Sequence, residues 1–164
     1  MNNFKNAEQL KDKVRKYKIE DERNKYIFRA DSKYIISSSI FFIIIAFIAG
    51  YSLYKGIIGV EKITPLKMIL AVILFGYVAV ASFLLFSFKI EVKNDEIFLK
   101  NIRIKMEDIE NATVKMLGVG AGKVDNFLEI ITKDKRKIQI RLNISNKLLF
   151  LKLLKNKIGE KLDI

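Results

Sequence analysis

The sequence contains no cysteine and no histidine, and a single proline. Without cysteine there is neither a disulfide nor a thiolate nucleophile, and nothing to report on redox compartment. The missing histidine excludes more: with cysteine also absent, zinc sites of the usual kinds, histidine-ligated haem and histidine-based catalytic triads are all ruled out. Carboxylates, lysines, serines and tyrosines remain, and no spacing among them spells a reaction. The chain is therefore expected to be non-enzymatic, with no catalytic residue, metal ligand or cofactor. Charge of either sign is absent from two long stretches, Tyr34 to Tyr54 and Met68 to Phe88, each 21 residues without Asp, Glu, Lys or Arg. At about 1.5 Å per residue each makes a helix roughly 31 Å long, enough to cross the hydrocarbon core of a bilayer. No ionised group lies inside either stretch, which excludes an intramembrane proton relay or ion-coupling site.

What is present organises around these two runs. Lysines bracket both, Lys33 and Lys55 on the first, Lys67 and Lys89 on the second. Tyr34, Tyr51 and Tyr54 stand where interfacial aromatics belong. The connector has turn glycines Gly56 and Gly59, and Thr64-Pro65 reads as a helix start with Thr64 as cap. So short a connector makes the helices antiparallel neighbours, a two-span transmembrane hairpin over residues 34–88. Ala46, Gly50 and Gly76 are small enough for close packing, and Tyr77 is expected to find a hydrogen-bond partner on the other helix. Packing within one hairpin and a homo-oligomer interface both fit these residues. Seven basic residues lie in the 20 positions before the first run and five in the 20 after the second, against three in the connector. That bias places both termini in the cytoplasm and predicts a multi-pass protein of the cell (inner) membrane.

The net charge of +12 suits an anionic surface. With two spans present, that surface is expected to be lipid, and no nucleic-acid partner is expected. Residues 1–33 form a basic cytoplasmic segment. In it Phe4, Ala7, Leu10, Val14 and Tyr17 recur at helical spacing, which fits either a helix on the inner leaflet or one packed on the protein's own soluble domain. The stretch 18–31 is ambiguous between strand and helix.

After Phe88 the period changes to two. Phe88, Ile90 and Val92 alternate with Lys89, Glu91 and Lys93, and the pattern recurs around Ile97, Ile104, Val114, Ile130 and Ile140. About six short strands with turns at Asn94-Asp95 and Asp134-Lys135 predict a meandering antiparallel sheet or small barrel. Ser145 then reads as the N-cap of a closing amphipathic helix carrying Leu148, Leu151, Leu154, Ile158 and Leu162 on one stripe. The fold class is thus a membrane α-helical hairpin plus an α+β domain over residues 88–164.

Phe88-Lys89-Ile90-Glu91-Val92, Asp95-Glu96-Ile97, and Ile104 with Met106-Glu107-Asp108-Ile109 resemble the bacterial pleckstrin-homology-like (PH-like) domain that follows a two-helix membrane hairpin. The hairpin from Phe127 to Leu142 and the closing helix complete the likeness, which covers about half of the chain. A full PH barrel has seven strands; the seventh is either missing here or supplied by residues 18–30. The resemblance implies a lipid-proximal interaction module without catalytic residues, a membrane-protein partner or an acidic lipid surface as its ligand, and, in some members, an accessory or immunity role beside a bacteriocin or exporter. A lipid-modifying enzyme is a third reading, which needs a convergent polar site.

Two features invite a ligand. Gly118-Val-Gly-Ala-Gly122-Lys123 is not a phosphate loop, because three residues rather than four separate the first glycine from the Gly-Lys pair and Val124 stands where Ser or Thr would hold magnesium. It reads as a flexible connector whose amides, beside Lys115 and Lys123, can meet a lipid phosphate. Lys133, Lys135, Arg136, Lys137 and Arg141 form a denser basic run, either a solvated hairpin or a contact for lipid headgroups or a partner.

Overall fold

The computed structural model describes residues 2–20, 23–119 and 124–164, with side chains from residue 8 onward. The chain folds as two compact units, Ala30–Phe88 and a discontinuous one made of Met1–Arg29 with Lys89–Ile164.

The first unit is a pair of helices, α2 (Ser32–Ile57) and α3 (Pro65–Ser87), both long and apolar enough to cross a membrane. Their side chains face outward almost throughout, as those of a soluble core helix would not. Asp31 caps α2 by accepting the Lys33 N–H at 2.9 Å, and Thr64 caps α3 by accepting the Lys67 N–H at 3.3 Å with Pro65 at the first helical position. In the connector Glu61 receives Lys67 at 2.7 Å and Lys55 at 3.3 Å, so one carboxylate ties the two helix ends together. Lys67 first, and Lys55 second, hold the Glu61 carboxyl below the usual glutamate range. Gly56 lies so close to Ile63 that an added Cβ would come within 2.1 Å of its Cγ1. Within the two helices the buried residues are Ala49 and Ala71. Gly50 faces Phe75, whose ring edge lies 3.9 Å from where a Cβ would stand, while Gly76 has nothing that near. Ala46 is half-buried. Tyr77 is 54% exposed, so its ring is on the outside of the hairpin rather than between the helices.

The second unit contains two four-stranded sheets. The first has the order β1 (Lys25–Arg29), β2 (Lys89–Lys93), β3 (Glu96–Leu99), β4 (Ile102–Lys105), all antiparallel. The second has the order β7 (Lys137–Arg141), β6 (Val124–Thr132), β5 (Ile109–Gly118), β8 (Leu162–Asp163). The sheets do not close into a barrel, and the second is mixed rather than purely antiparallel. A 3-10 turn at Met106–Asp108 redirects the chain after β4, and the free edge of β5 is taken by β8, which runs parallel to it. Asn94 and Asp95, at φ 51° and 59°, make the tight turn between β2 and β3, a conformation that asparagine and aspartate tolerate better than most residues.

The core lies between the sheets and α4 (Lys147–Ile158), which buries Phe150, Leu151, Leu154 and Ile158. Ile90, Ile97, Ile109, Leu128, Ile130 and Ile140 face it from the strands, each fully buried. Phe28 of β1 meets Phe150 edge to face at 5.2 Å between ring centres. α1 (Asn2–Lys16) packs on α4, with Val14 buried and Lys152 Nζ donating to the Arg15 carbonyl at 3.1 Å. Of the two placements open to this helix, the structure adopts packing on the protein's own domain. Ser145 does not cap α4. Its hydroxyl accepts the Arg29 N–H at 3.3 Å and its own N–H donates to the Arg29 carbonyl at 2.8 Å, while Asn146, in the left-handed region, stands at the helix start.

Arg29 and Lys89 are register partners at the end of the β1–β2 ladder. The whole apolar hairpin is therefore inserted where two adjacent antiparallel strands would otherwise be joined by a turn. Residues 30 and 31 lead into α2, and Phe88 alone separates α3 from β2.

Candidate functional site

The basic residues singled out from the sequence fall on the outer face of the second sheet and on the β6–β7 turn. Alternation along β6 sends Leu128 and Ile130 to the core and turns Asp125, Phe127 and Glu129 outward. Pairing places Thr113 and Gln139 on either side of Glu129, and Lys115 and Arg141 on either side of Phe127. Glu129 is only 5% exposed although it is on the outer face, because its neighbours close over it. Lys115 reaches Oε1 at 2.6 Å, Lys137 reaches Oε2 at 2.8 Å, and the Gln139 amide donates to Oε2 at 3.1 Å.

Those contacts satisfy both carboxylate oxygens and hold Glu129 at a pKa of about 2, from the usual 4.5, with Lys115 the largest cause and Lys137 the next. A carboxylate whose pKa falls on folding adds stability that is fully present above about 4.5 and disappears as the pH drops toward about 2. Glu129→Gln is accordingly expected to lower Tm by several degrees at pH 7. The difference from the parent should shrink steadily between pH 4.5 and 2, in thermal unfolding of the detergent-solubilised protein followed by circular dichroism. A gap between the two proteins that stayed constant across that range would refute the ion-paired role.

The remaining basic residues of the run are also engaged. Lys135 pairs with Glu110 at 2.7 Å and Arg136 with Asp134 at 2.5 Å. Arg141 binds Asp125 through Nε at 2.8 Å and through its terminal nitrogen, and Asn143 donates to the same carboxylate at 3.0 Å. Lys133 alone in this run has no ion-pair partner among the described residues; its side chain is exposed. Lys123 lies outside the described residues, as does the glycine connector from residue 120. A run that reads as a dense positive patch is thus largely neutralised by carboxylates on the adjoining strands.

The other sheet differs. Its outer face carries Lys25 on Glu91 at 2.7 Å, and Arg103 on Glu96 at 2.6 Å with the guanidinium over the Phe98 ring. Lys25 holds the Glu91 carboxyl below its usual range, and Arg103 does the same for Glu96. Both acids on this face are therefore committed. At the end of the sheet where the hairpin is inserted, Arg29 and Lys89 stand side by side as register partners, and Lys100 follows Leu99, the partner of Ile90. All three side chains are exposed, and none has an ion-pair partner among the described residues. Sequence reading passed over this row because Arg29 and Lys89 are on opposite sides of the hairpin in the chain; only the register brings them together. At the opposite end of β2 and β3, open grooves of about 480 and 490 Å³ flank the Asn94-Asp95 turn. The Lys157–Asp95 ion pair, 2.7 Å long, forms part of the wall of both. Among the described residues no group of three or more carboxylates comes together as a metal site.

The class that this geometry defines is a folded β-rich domain with a helical hairpin, apolar enough to span a membrane, inserted in its first strand pair. No protein family, curated protein or solved structure matches the chain.

Proposed function

We propose that this protein is a non-enzymatic, membrane-tethered interaction module of PH-like type, with both termini and the β-rich domain on the cytoplasmic face. One observation carries the reading: the apolar hairpin interrupts a strand pair of a domain that has its own buried core, so anchor and domain are joined without a flexible linker on either side. A domain attached by two short connections, one to each neighbouring strand, is restricted in orientation and suits work at the membrane surface. The orientation rests on the excess of basic residues flanking the spans over those in the connector. The count of strands supports the PH-like reading, since β1 supplies a seventh strand beside the six that follow the hairpin and precede α4.

The expected partner is a membrane protein bound through the domain. Affinity purification from native membranes in mild detergent, followed by mass spectrometry, should recover a defined partner in stoichiometric amount. Recovery of the protein with bulk lipid alone would refute the recruitment role. A reporter fused after Ile164 should be active only in the cytoplasm; activity outside would overturn the orientation without touching the fold.

A further inference from the structure

The central stretch of each apolar helix, 40–50 in α2 and 71–81 in α3, holds a single polar side chain, the phenol of Tyr77. It lies on the outside of the hairpin, and its hydroxyl has no hydrogen-bond partner among the described residues. We infer that Gly76 and Tyr77 mark an interface at which two copies of this chain pack α3 against α3, the two Tyr77 hydroxyls bonded to each other. This inference rests on the reading that α2 and α3 span a membrane.

The first support is depth. Tyr77 stands ten residues from Lys67 and ten from Ser87, the last residue of α3, about 15 Å along the helix from either. That is beyond the reach of a tyrosine side chain, so the hydroxyl cannot snorkel to water at either surface. In hydrocarbon a hydroxyl left without a partner is costly. The second support is the face. α2 packs on the other side of α3, where Ala71 is buried and Val78, Ala81 and Leu85 are half-buried. Ile69, Ile73, Gly76, Tyr77, Val80 and Leu84 are exposed, and their helical spacing makes one continuous stripe. Gly76 is the third. A Cβ there would meet nothing within 4 Å, so this glycine serves no packing inside the hairpin, unlike Gly50 against Phe75 or Gly56 against Ile63. Glycine in mid-helix is unfavourable by itself; in a membrane helix it offers close approach of another backbone. A second copy of the chain fits this face. Copies inserted by the same positive-residue bias share one orientation, so a two-fold axis along the membrane normal sets equal residues at equal depth. A phenol hydroxyl both donates and accepts, so two Tyr77 side chains satisfy each other across that axis while the paired Gly76 backbones draw close.

The test exploits the absence of cysteine from the chain. Lys62→Cys, in the connector, carries a donor or an acceptor dye on the full-length protein, and energy transfer is followed in phosphatidylcholine vesicles as added lipid dilutes the protein. The labelled parent should associate. Tyr77→Phe should raise the dissociation constant roughly three- to tenfold, the strength of one interhelical hydrogen bond in a bilayer. Gly76→Ile should raise it at least as much, with helicity unchanged, because the new side chain meets no atom of its own hairpin. Ile44→Ala, on the exposed side of α2, should leave the constant where it was. A parent that is monomeric at every dilution overturns the proposal, as do Tyr77→Phe and Gly76→Ile variants that associate as tightly as the parent. In native membranes Val80→Cys, oxidised with copper phenanthroline, should give a band at twice the mass of the chain. A cross-link of another mass would assign the face to a different membrane protein, and that result or no cross-link overturns the pairing of copies. Alkaline carbonate extraction separates failures: release of the protein from membranes sinks the spanning reading, while an integral but monomeric protein sinks the α3 interface alone.

Discussion

Replacing residues 30–88 with a four-residue glycine-containing loop should convert the protein from a membrane-bound to a soluble one without unfolding its β-rich domain. The expectation follows from register. Arg29 and Lys89 already face each other at the end of an antiparallel ladder, so a short loop of common hairpin length can join them without moving either strand. The compact unit formed by Met1–Arg29 and Lys89–Ile164 carries its own core, from Phe28 and Ile90 to Leu151 and Leu154. Insertions at such tips are tolerated because few contacts depend on the connection itself, and removal follows the same logic. After cell fractionation the parent should be found wholly with membranes and the shortened protein in the soluble fraction. The latter should show a cooperative thermal transition and β-rich circular dichroism. An aggregated product, or a soluble one with no cooperative transition, would mean that the domain depends on its anchor.

The second large effect concerns the contact that ties the N-terminal strand to the closing helix. Phe150→Ala should destabilise the domain by about 3–5 kcal/mol, the usual range for emptying a fully buried phenylalanine site. Phe150 has no exposed surface and loses an edge-to-face partner in Phe28, so neither ring's site can be filled by solvent or by a simple rotation. Against the total of about 5–15 kcal/mol that an ordinary domain has, a loss of that size removes about a fifth of the margin or more. Urea titration of the shortened soluble protein should show the midpoint move sharply lower, with Phe28→Ala close behind. Ile27→Ala, one residue away but on the outer face, should change stability by no more than about 0.5 kcal/mol. Equal effects at positions 27 and 28 would show that β1 is not seated as described.

These two sites mark the boundary of what a reader of the sequence can see. The spans are legible because an uncharged run of that length has few alternatives in a chain this rich in lysine. The strands after Phe88 are legible because their inward residues are almost all isoleucine, leucine or valine, alternating with charge. β1 is legible only as one of two readings of the stretch 18–31: Lys25–Arg29 is five residues long, and its partner β2 lies beyond the whole hairpin, so neither period nor neighbour decides between strand and helix. β8 is two residues of an apolar tail that had read as the end of a helix stripe. It takes the edge of β5 in parallel, so the second sheet is mixed where the alternation predicts an antiparallel sheet or small barrel. Ser145 has the composition of a cap but is used as a strap across to Arg29, a choice made by tertiary contact.

The candidate site divides in the same way. Lys133 to Arg141 is conspicuous in the sequence because its charges are consecutive, but the carboxylates that neutralise them, Glu110, Asp125 and Glu129, are on adjoining strands. Cross-strand pairing depends on register, which composition does not carry. The same blindness hid the free cations. Arg29 and Lys89 look like two unrelated span-flanking residues until the ladder sets them side by side.

The insertion of the hairpin between β1 and β2 also has a consequence in time. α1 and β1 leave the ribosome first, yet β1 needs β2, and both Phe28 and Val14 need α4. Between the synthesis of Arg29 and that of Phe150, at about 5–20 residues per second, roughly 6–24 s elapse. The ladder partner of β1 is complete only at Lys93, roughly 3–13 s after Arg29, and the contacts to α4 wait for the rest of that interval, so both apolar helices are made before β1 can pair. The pairing of β1 with β2 therefore belongs to a late stage of synthesis: it can form only on chains in which both apolar helices have already been made.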